Sequence, residues 1–150
     1  PRASTVAINA YTVPITRPYL SALIAELKQR GFSQQPLIML SNGGVIGAER
    51  ASSFPVRMIE SGPAAGALVA CHFSRIFGIP DLISFDMGGT TAKACMVQNH
   101  EPLVTNTFEV DRRYRFKPGS GMPITVPSML PPLISTVVNV EVPVTVTASI

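Results

Sequence analysis

The length and composition of the chain describe one ordinary folded domain. Its 150 residues are 46% hydrophobic and 14% charged, which supplies a core and excludes a disordered chain. The net charge of +3, from 12 basic and 9 acidic residues, is too small and scattered to indicate nucleic acid or a membrane surface as a partner. Cys71 and Cys95 lie in apolar runs without Cys-x-x-Cys spacing, which predicts reduced, buried thiols in a cytoplasmic protein.

The first predicted elements are a helix and two short strands. Apolar residues recur at helical spacing between residues 16 and 31, which predicts an amphipathic helix that Thr16 caps and Gly31 ends. PLIML, residues 36–40, predicts a buried strand that leads into the loop SNGG. FPVRMIE, residues 54–60, is interpreted as a second strand before the loop SGP.

The middle of the chain predicts a helix followed by a hairpin. Residues 63–77 are apolar nearly all round, which is typical of a helix buried against a sheet, with Ser61 or Gly62 as its N-cap and Gly78 at its end. DLISF and AKACMV then predict two strands joined by the turn DMGGTT. The glycine-rich tip of this hairpin is the most unusual feature of the sequence.

The last third divides into two parts. Within residues 105–124, two aromatic side chains, Tyr114 and Phe116, alternate with Arg113, Arg115 and Lys117, which predicts a half-exposed strand closed by a Pro-Gly-Ser-Gly turn. Beyond Pro127 the chain has one charge and places valines at every second position from Val138 to Val146, with Pro143 permitting only an edge strand. We therefore treat residues 1–126 as one unit and residues 127–150 as a divergent Pro/Val-rich tail.

The turn DMGGTT has the residue types of a phosphate-binding loop. Glycines let backbone N–H groups approach phosphate oxygens, and the hydroxyls of Thr90 and Thr91 add donors. Lys93 could supply a positive charge, and Asp86 could hold magnesium or orient an attacking nucleophile. An ordinary type I′ hairpin turn, which also favours Asp and Gly, is the alternative interpretation.

Two further loops could contribute to the same kind of site. SGPAAG places a serine before the N–H groups of a helix start, which can bind an anion, although an ordinary cap with small packing residues has the same sequence. SNGG follows a strand, where α/β sheets place ligands, and a simple turn explains it equally well. The candidate binding residues of these loops are Ser41, Asn42, Gly43, Gly44, Ser61, Gly62 and Gly66.

Five stretches in this order resemble the hydantoinase A and 5-oxoprolinase family, to which the acetone carboxylase subunit is related. They are INAYTVPITRPYLSALIAELKQRGF, LIMLSNGGVI, RMIESGPAAGALVA, ISFDMGGTTAKACMV and FEVDRRYRFKPGSGMPI, which together cover about residues 5–126. The form GGTTAK is more similar to the hydantoinase A branch than to the oxoprolinase branch.

The resemblance implies an α/β fold that is part of an actin-like, ribonuclease H-like ATPase lobe, with helices packed on a mixed sheet and ATP and Mg²⁺ in its cleft. Family members of the hydantoinase kind use ATP to open a cyclic amide by phosphorylating the amide oxygen, and they work with a second, hydantoinase B-type subunit. Three alternatives stay open: a nucleotide-binding module without turnover, an inactive truncated remnant, and a subunit of an ATP-dependent ketone carboxylase.

The resemblance also implies roles for individual residues. By position, Asp86 would be the catalytic residue near magnesium and the γ-phosphate, while Gly88, Gly89, Thr90 and Thr91 would cradle phosphate, and Lys93 matches the branch pattern. The loops from Ser41 to Gly44 and from Ser61 to Gly66 would line the nucleotide side. The family carries a second Asp-x-Gly-Gly-Thr loop upstream, whereas this sequence contains a single such loop, which begins at Asp86. We therefore expect an incomplete lobe that alone turns over little substrate.

Overall fold

The computed structural model describes residues 2–88, 92–110, 113–114, 117 and 119–129. In this part of the chain, three α-helices and one 3₁₀ helix accompany three small antiparallel sheets, so the fold class is α/β as predicted. The described strands pair only in the antiparallel sense, so the mixed sheet expected from the resemblance does not occur among them.

The first helix, α1, spans Arg2–Gln29 and is nearly twice as long as predicted. The prediction that Thr16 caps this helix is wrong, because Pro14 and Pro18 both lie inside it. Prolines in a helix interior remove a hydrogen bond and usually end the helix, which is why the sequence favoured a later start.

Contacts with distant segments hold the N-terminal half of α1 in place. The Nδ2 group of Asn9 donates to the carbonyl of Ser53 at 3.1 Å, and Oδ1 of Asn9 accepts from the N–H of Val56 at 3.3 Å. The hydroxyl of Thr5 accepts from the N–H of Thr125 at 2.9 Å. These tertiary bonds offset the loss at the prolines and extend the helix upstream.

The loop SNGG is the turn of a short hairpin. Strand β1, Leu37–Met39, pairs antiparallel with β2, Val45–Gly47, as the predicted strand and loop require. The prediction that this strand is buried is wrong, because Leu37 is exposed and the other two residues of β1 are only partly buried. Gly43 adopts a φ of +78°, which side-chain-bearing residues rarely adopt, so the turn needs glycine there. The sequence pattern found the turn and its first strand.

Helical structure fills the region where FPVRMIE predicted a strand. Helix α2 spans Ala48–Ser53, and a 3₁₀ helix follows at Pro55–Met58, so the strand prediction is wrong. Proline at the first position favours a helical turn, and burial of Val56 among Phe108 and Ile124 fixes it. Over so few residues, the apolar pattern of FPVRMIE does not distinguish a strand from one turn of helix.

Helix α3 spans Ser61–Phe77 and confirms the predicted central helix. It ends at Gly78, whose φ of +65° is left-handed and whose N–H bonds back to the carbonyl of Ser74. The prediction that this helix is largely buried is wrong, because only one face of α3 is buried and its large apolar residues on the other side are exposed. The exposed residues are Val69, Phe73, Ile76 and Phe77.

The predicted hairpin is confirmed and forms the largest of the three sheets. Strand β3, Leu82–Met87, pairs with β4, Ala92–Gln98, and β4 pairs with β5, Glu101–Pro102. Asn99 and His100, both with positive φ, make the tight turn between β4 and β5. In this sheet β3 is therefore an edge strand.

The last described segment folds back onto the body. Strands β6, Phe108–Val110, and β7, Met122–Ile124, are antiparallel, so the predicted single strand is a hairpin with a long connection. After β7, Ser128 bridges Thr105, and the N–H of Met129 donates to the carbonyl of Ser41 at 3.0 Å. The valine-rich part of the tail lies outside the described residues.

Two apolar clusters form the core. One joins α3 to β4 and the last segment through Ala64, Ala67, Cys95 and Met129. The other joins the 3₁₀ helix to β6 and β7 through Val56, Phe108, Ile124 and Val126. Cys71 and Cys95 are both buried and unpaired, which confirms the prediction of reduced, buried thiols.

The helices of the described ranges were also compared with the requirements of a membrane span. None of them is both long enough and apolar enough to cross a bilayer.

Candidate functional site

The β3–β4 hairpin places Asp86 close to its tip. The Cα register pairs Asp86 with Lys93 and Met87 with Ala92, so the tip comprises residues 88–91. Asp86 and Gly88 are exposed, and Gly89, Thr90 and Thr91 lie outside the described residues. The strand order thus brings the carboxylate of Asp86 to the base of the glycine-rich turn.

One face of the hairpin is turned toward helix α3. Side chains alternate along a strand, so Ser84 and Asp86 share a face with their register partners Cys95 and Lys93. A Cβ atom on Gly66 of α3 would lie 3.8 Å from Oγ of Ser84, in ordinary contact. The small residue lets helix and strand approach, which is a packing role for this candidate residue.

The same face carries a partly buried ion pair. Nζ of Lys93 donates to Oε2 of Glu60, and their side chains are only 23% and 14% exposed. Glu60 directly precedes the first residue of α3. The Lys93 charge predicted for a phosphate is thus engaged by a carboxylate at the start of the helix.

The helix start differs from the predicted cap. Glu60 occupies the N-cap position without a side-chain cap hydrogen bond, whereas Ser61 and Gly62 lie inside the first turn, so assigning the cap to either of them is wrong. The carboxylate of Glu60 is committed to Lys93 rather than to the helix N–H groups. Of these two first-turn residues, Ser61 is partly buried and Gly62 is exposed.

The SNGG turn joins this cluster through Ser41. Its wholly buried hydroxyl donates to the carbonyl of Arg57 at 2.7 Å and accepts from the N–H of Glu60 at 3.4 Å. The backbone of Ser41 also donates to the Arg57 carbonyl at 2.7 Å. Glu60 therefore contacts both of the other candidate loops, one through its backbone and one through its side chain.

The remaining residues of the turn are held by local contacts. Oδ1 of Asn42 accepts from the N–H of Gly44 at 3.1 Å, and the N–H of Gly43 donates to the carbonyl of Leu40 at 3.0 Å. Gly43 packs against Leu68 of α3, and Gly44 is exposed. The side chains of Ser41 and Asn42 thus position the turn.

The thiol beside the ion pair is electrostatically unsuited to nucleophilic chemistry. Burial, assisted by the carboxylates of Asp86 and Glu60 and opposed by Lys93, raises the pKa of Cys95 to about 11. Burial also raises the pKa of Cys71. Both cysteines are therefore protonated near neutral pH, which favours a packing role.

Sequence reasoning missed Glu60 and misplaced both histidines. A pairing between a glutamate and a lysine 33 positions away leaves no pattern in the sequence. The position of Glu60 directly before SGPAAG was the signal that could have drawn attention to it. His72 lies in an apolar stretch, which indicates a core position, but it is exposed and contacts Phe73 edge-on. His100 lies in a loop, where exposure to solvent is expected, but it is half-buried, with Nδ1 at 2.8 Å from Oγ of Ser74.

The matching family model is described as hydantoinase/oxoprolinase and covers residues 2–140. The chain belongs to this family. An uncharacterized protein of Methanocaldococcus jannaschii is 45% identical over 129 residues, which are 84% of this chain and 19% of the relative. The caprolactamase subunit alpha of Pseudomonas jessenii is 36% identical over 94 residues, which are 60% of this chain and 13% of that subunit.

A solved structure shares the fold. Nucleotide-free acetone carboxylase, from work on the mechanism of ATP-dependent acetone carboxylation, aligns with a TM-score of 0.59 at 22% identity. The alignment covers 73% of this chain and 14% of the acetone carboxylase chain. This hydantoinase/oxoprolinase family chain thus spans less than a fifth of the curated relatives described above.

Proposed function

We propose that this chain is the nucleotide-phosphate-binding part of an ATP-dependent enzyme of the hydantoinase/oxoprolinase family. The observation that carries the proposal is the junction at Glu60, which joins the hairpin through Lys93 and the SNGG turn through Ser41 at the start of helix α3. Each of the three loops alone could be an ordinary turn or helix cap. Their convergence at one residue favours a shared binding site. We also propose that the chain forms part of an actin-like ATPase lobe.

In this proposal the hairpin tip and the helix start bind phosphate from two sides. Backbone N–H groups of Gly88, Gly89, Thr90 and Thr91 would approach one side, and those of Ser61 and Gly62 the other. Asp86 would hold Mg²⁺ together with phosphate oxygens and water. In the described part of the chain no group of three or more His, Cys, Asp and Glu side chains is placed to hold a metal, so the nucleotide would complete the coordination.

The proposed reaction of the whole enzyme is opening of a cyclic amide. The amide oxygen would attack the γ-phosphorus of ATP, releasing ADP and leaving an amide phosphorylated on oxygen. Water would then add to the amide carbon, the ring C–N bond would break as the nitrogen takes up a proton, and hydrolysis of the resulting acyl phosphate would release the carboxylate and phosphate. Fixed donors and a metal supply most of the catalysis in phosphoryl transfer. A hydantoinase B-type subunit and the remaining family sequence would provide the amide site, so this chain alone would release little phosphate.

Calorimetric titration of the purified chain with ATP, with and without magnesium, tests the proposal. We expect saturable, magnesium-dependent binding that Asp86→Asn weakens by about tenfold or more, since a charged metal ligand is lost. Asp81→Asn is the matched control, because Asp81 precedes β3 at its opposite end, where it accepts from the N–H of Asn99. Absent binding, or equal affinity in both variants, would refute the assignment.

A further inference from the structure

The ion pair between Glu60 and Lys93 suggests how the lysine of the hairpin acts. We propose that Lys93 is a positioning residue that acts through Glu60: its ammonium group neutralises the Glu60 carboxylate at the start of helix α3 and so promotes phosphate binding without contacting phosphate. This inference rests on the proposed function. It makes the two residues one charge-compensated unit.

The placement of the lysine supports this role. Lys93 lies on the hairpin face that packs on α3, and its ammonium group bonds the carboxylate of Glu60. With its side chain 77% covered, Lys93 cannot turn toward the tip without leaving a partly buried carboxylate unpaired. Leaving one member of such a pair uncompensated is costly, which favours the paired arrangement.

The placement of the glutamate explains why neutralisation matters. Glu60 directly precedes the N–H groups of Ser61 and Gly62, where a helix end favours negative charge. An unpaired carboxylate at this point would compete with a phosphate for the same positive end and repel it. Pairing with Lys93 removes that repulsion and leaves the first-turn N–H groups available.

The pair also connects the helix to the hairpin mechanically. Asp86 is the register partner of Lys93, so the residue that anchors β4 to the helix start lies directly across from the proposed magnesium ligand. Glu60 is in turn bonded through its N–H to Ser41. The backbone of Glu60 thus contacts the SNGG turn while its side chain contacts β4.

A double-mutant cycle on MgATP affinity separates indirect from direct action. Lys93→Met should weaken binding by about tenfold, Glu60→Gln should tighten it because the carboxylate that repels phosphate is gone, and the double variant should bind within about threefold of wild type. If Lys93 contacted phosphate directly, the double variant would bind as weakly as Lys93→Met. That outcome would overturn the inference while leaving the proposed function intact.

Unfolding by urea provides the readout that needs no nucleotide. The midpoint shifts of Glu60→Gln and Lys93→Met should sum to clearly more than the shift of the double variant, because either change alone leaves a partly buried charge. Additive shifts would show that the residues are not paired and would refute the inference. A wild-type chain that binds no MgATP would refute the proposed function and the role in anion binding, whereas the urea cycle decides the pairing separately.

Discussion

Met129 occupies the space in which a side chain on Gly43 would lie. A Cβ atom built on Gly43 would overlap Cε of Met129 and approach Cδ1 of Leu68 to 3.0 Å, at a φ of +78°. The last described segment therefore closes over the SNGG turn, and the turn tolerates this contact because it lacks a side chain. Glycine here serves both the backbone conformation and the packing.

Replacing Gly43 should therefore cost more than backbone strain alone. We expect Gly43→Ala to lower the free energy of unfolding by about 1–3 kcal/mol, from left-handed strain and displacement of Met129. Gly78→Ala is the matched control, since Gly78 has a φ of +65° with open space around it, and should lose about 1 kcal/mol. Equal losses in urea unfolding would show that Met129 moves aside freely.

The buried hydroxyl of Ser41 should contribute measurably to stability. Ser41→Ala removes its bond to the carbonyl of Arg57 and leaves the N–H of Glu60 without this acceptor, so we expect a loss of about 1–2 kcal/mol. Ser52→Ala serves as the control, because its exposed hydroxyl bonds only the nearby carbonyl of Glu49. Thermal unfolding that ranks the two variants equally would contradict a structural role for Ser41.

The thiol of Cys95 should make the protein less stable in alkali. Its pKa is about 11 when folded, against 9.0 ordinarily, so the unfolded chain loses the proton first and stability falls as the pH rises from about 9 to 11. Urea midpoints across this range should decline less steeply for Cys95→Ala than for wild type. Parallel declines would mean that other groups, such as lysines and tyrosines, account for the whole effect.

The outer face of β3 should control self-association without affecting stability. Ile83, Phe85 and Met87 are 65%, 64% and 49% exposed on an edge strand, a surface that favours intermolecular pairing. Ile83→Thr and Phe85→Thr should lower the apparent mass in light scattering and leave the urea midpoint unchanged. The buried Val97→Thr should instead cost about 1–3 kcal/mol. Unaltered association in the exposed variants would exclude this face.

The sequence predicted elements whose signals are local. Helix α3 and the hairpin of β3 and β4 have long apolar patterns and clear punctuation at Gly78 and DMGGTT, and both were found. The 3₁₀ helix at Pro55–Met58 was misread because one turn of helix and a short strand bury similar residues. The start of α1 was misplaced because contacts of Asn9 across the fold outweigh two prolines.

The sequence predicted the three candidate loops but not the contacts between them. The glycines and hydroxyl residues marked where phosphate could bind, but partnership between residues remote in sequence leaves no periodicity. The sequence therefore suggested that Lys93 binds phosphate, although its hydrogen-bond partner in the structure is Glu60. The buried position of Ser41 was equally invisible, since serine in a turn is usually exposed.

The two prolines inside α1 weaken one continuous helix near its middle. Neither Pro14 nor Pro18 has an amide proton, so each removes the backbone hydrogen bond that its N–H would donate to the carbonyl four residues upstream. The upstream part is tied to distant segments through Thr5 and Asn9, whereas the downstream part buries only Leu20. Hydrogen–deuterium exchange should therefore label residues 21–29 well before residues 5–13. Such a result would show that one continuous helix contains two cooperative units of different stability.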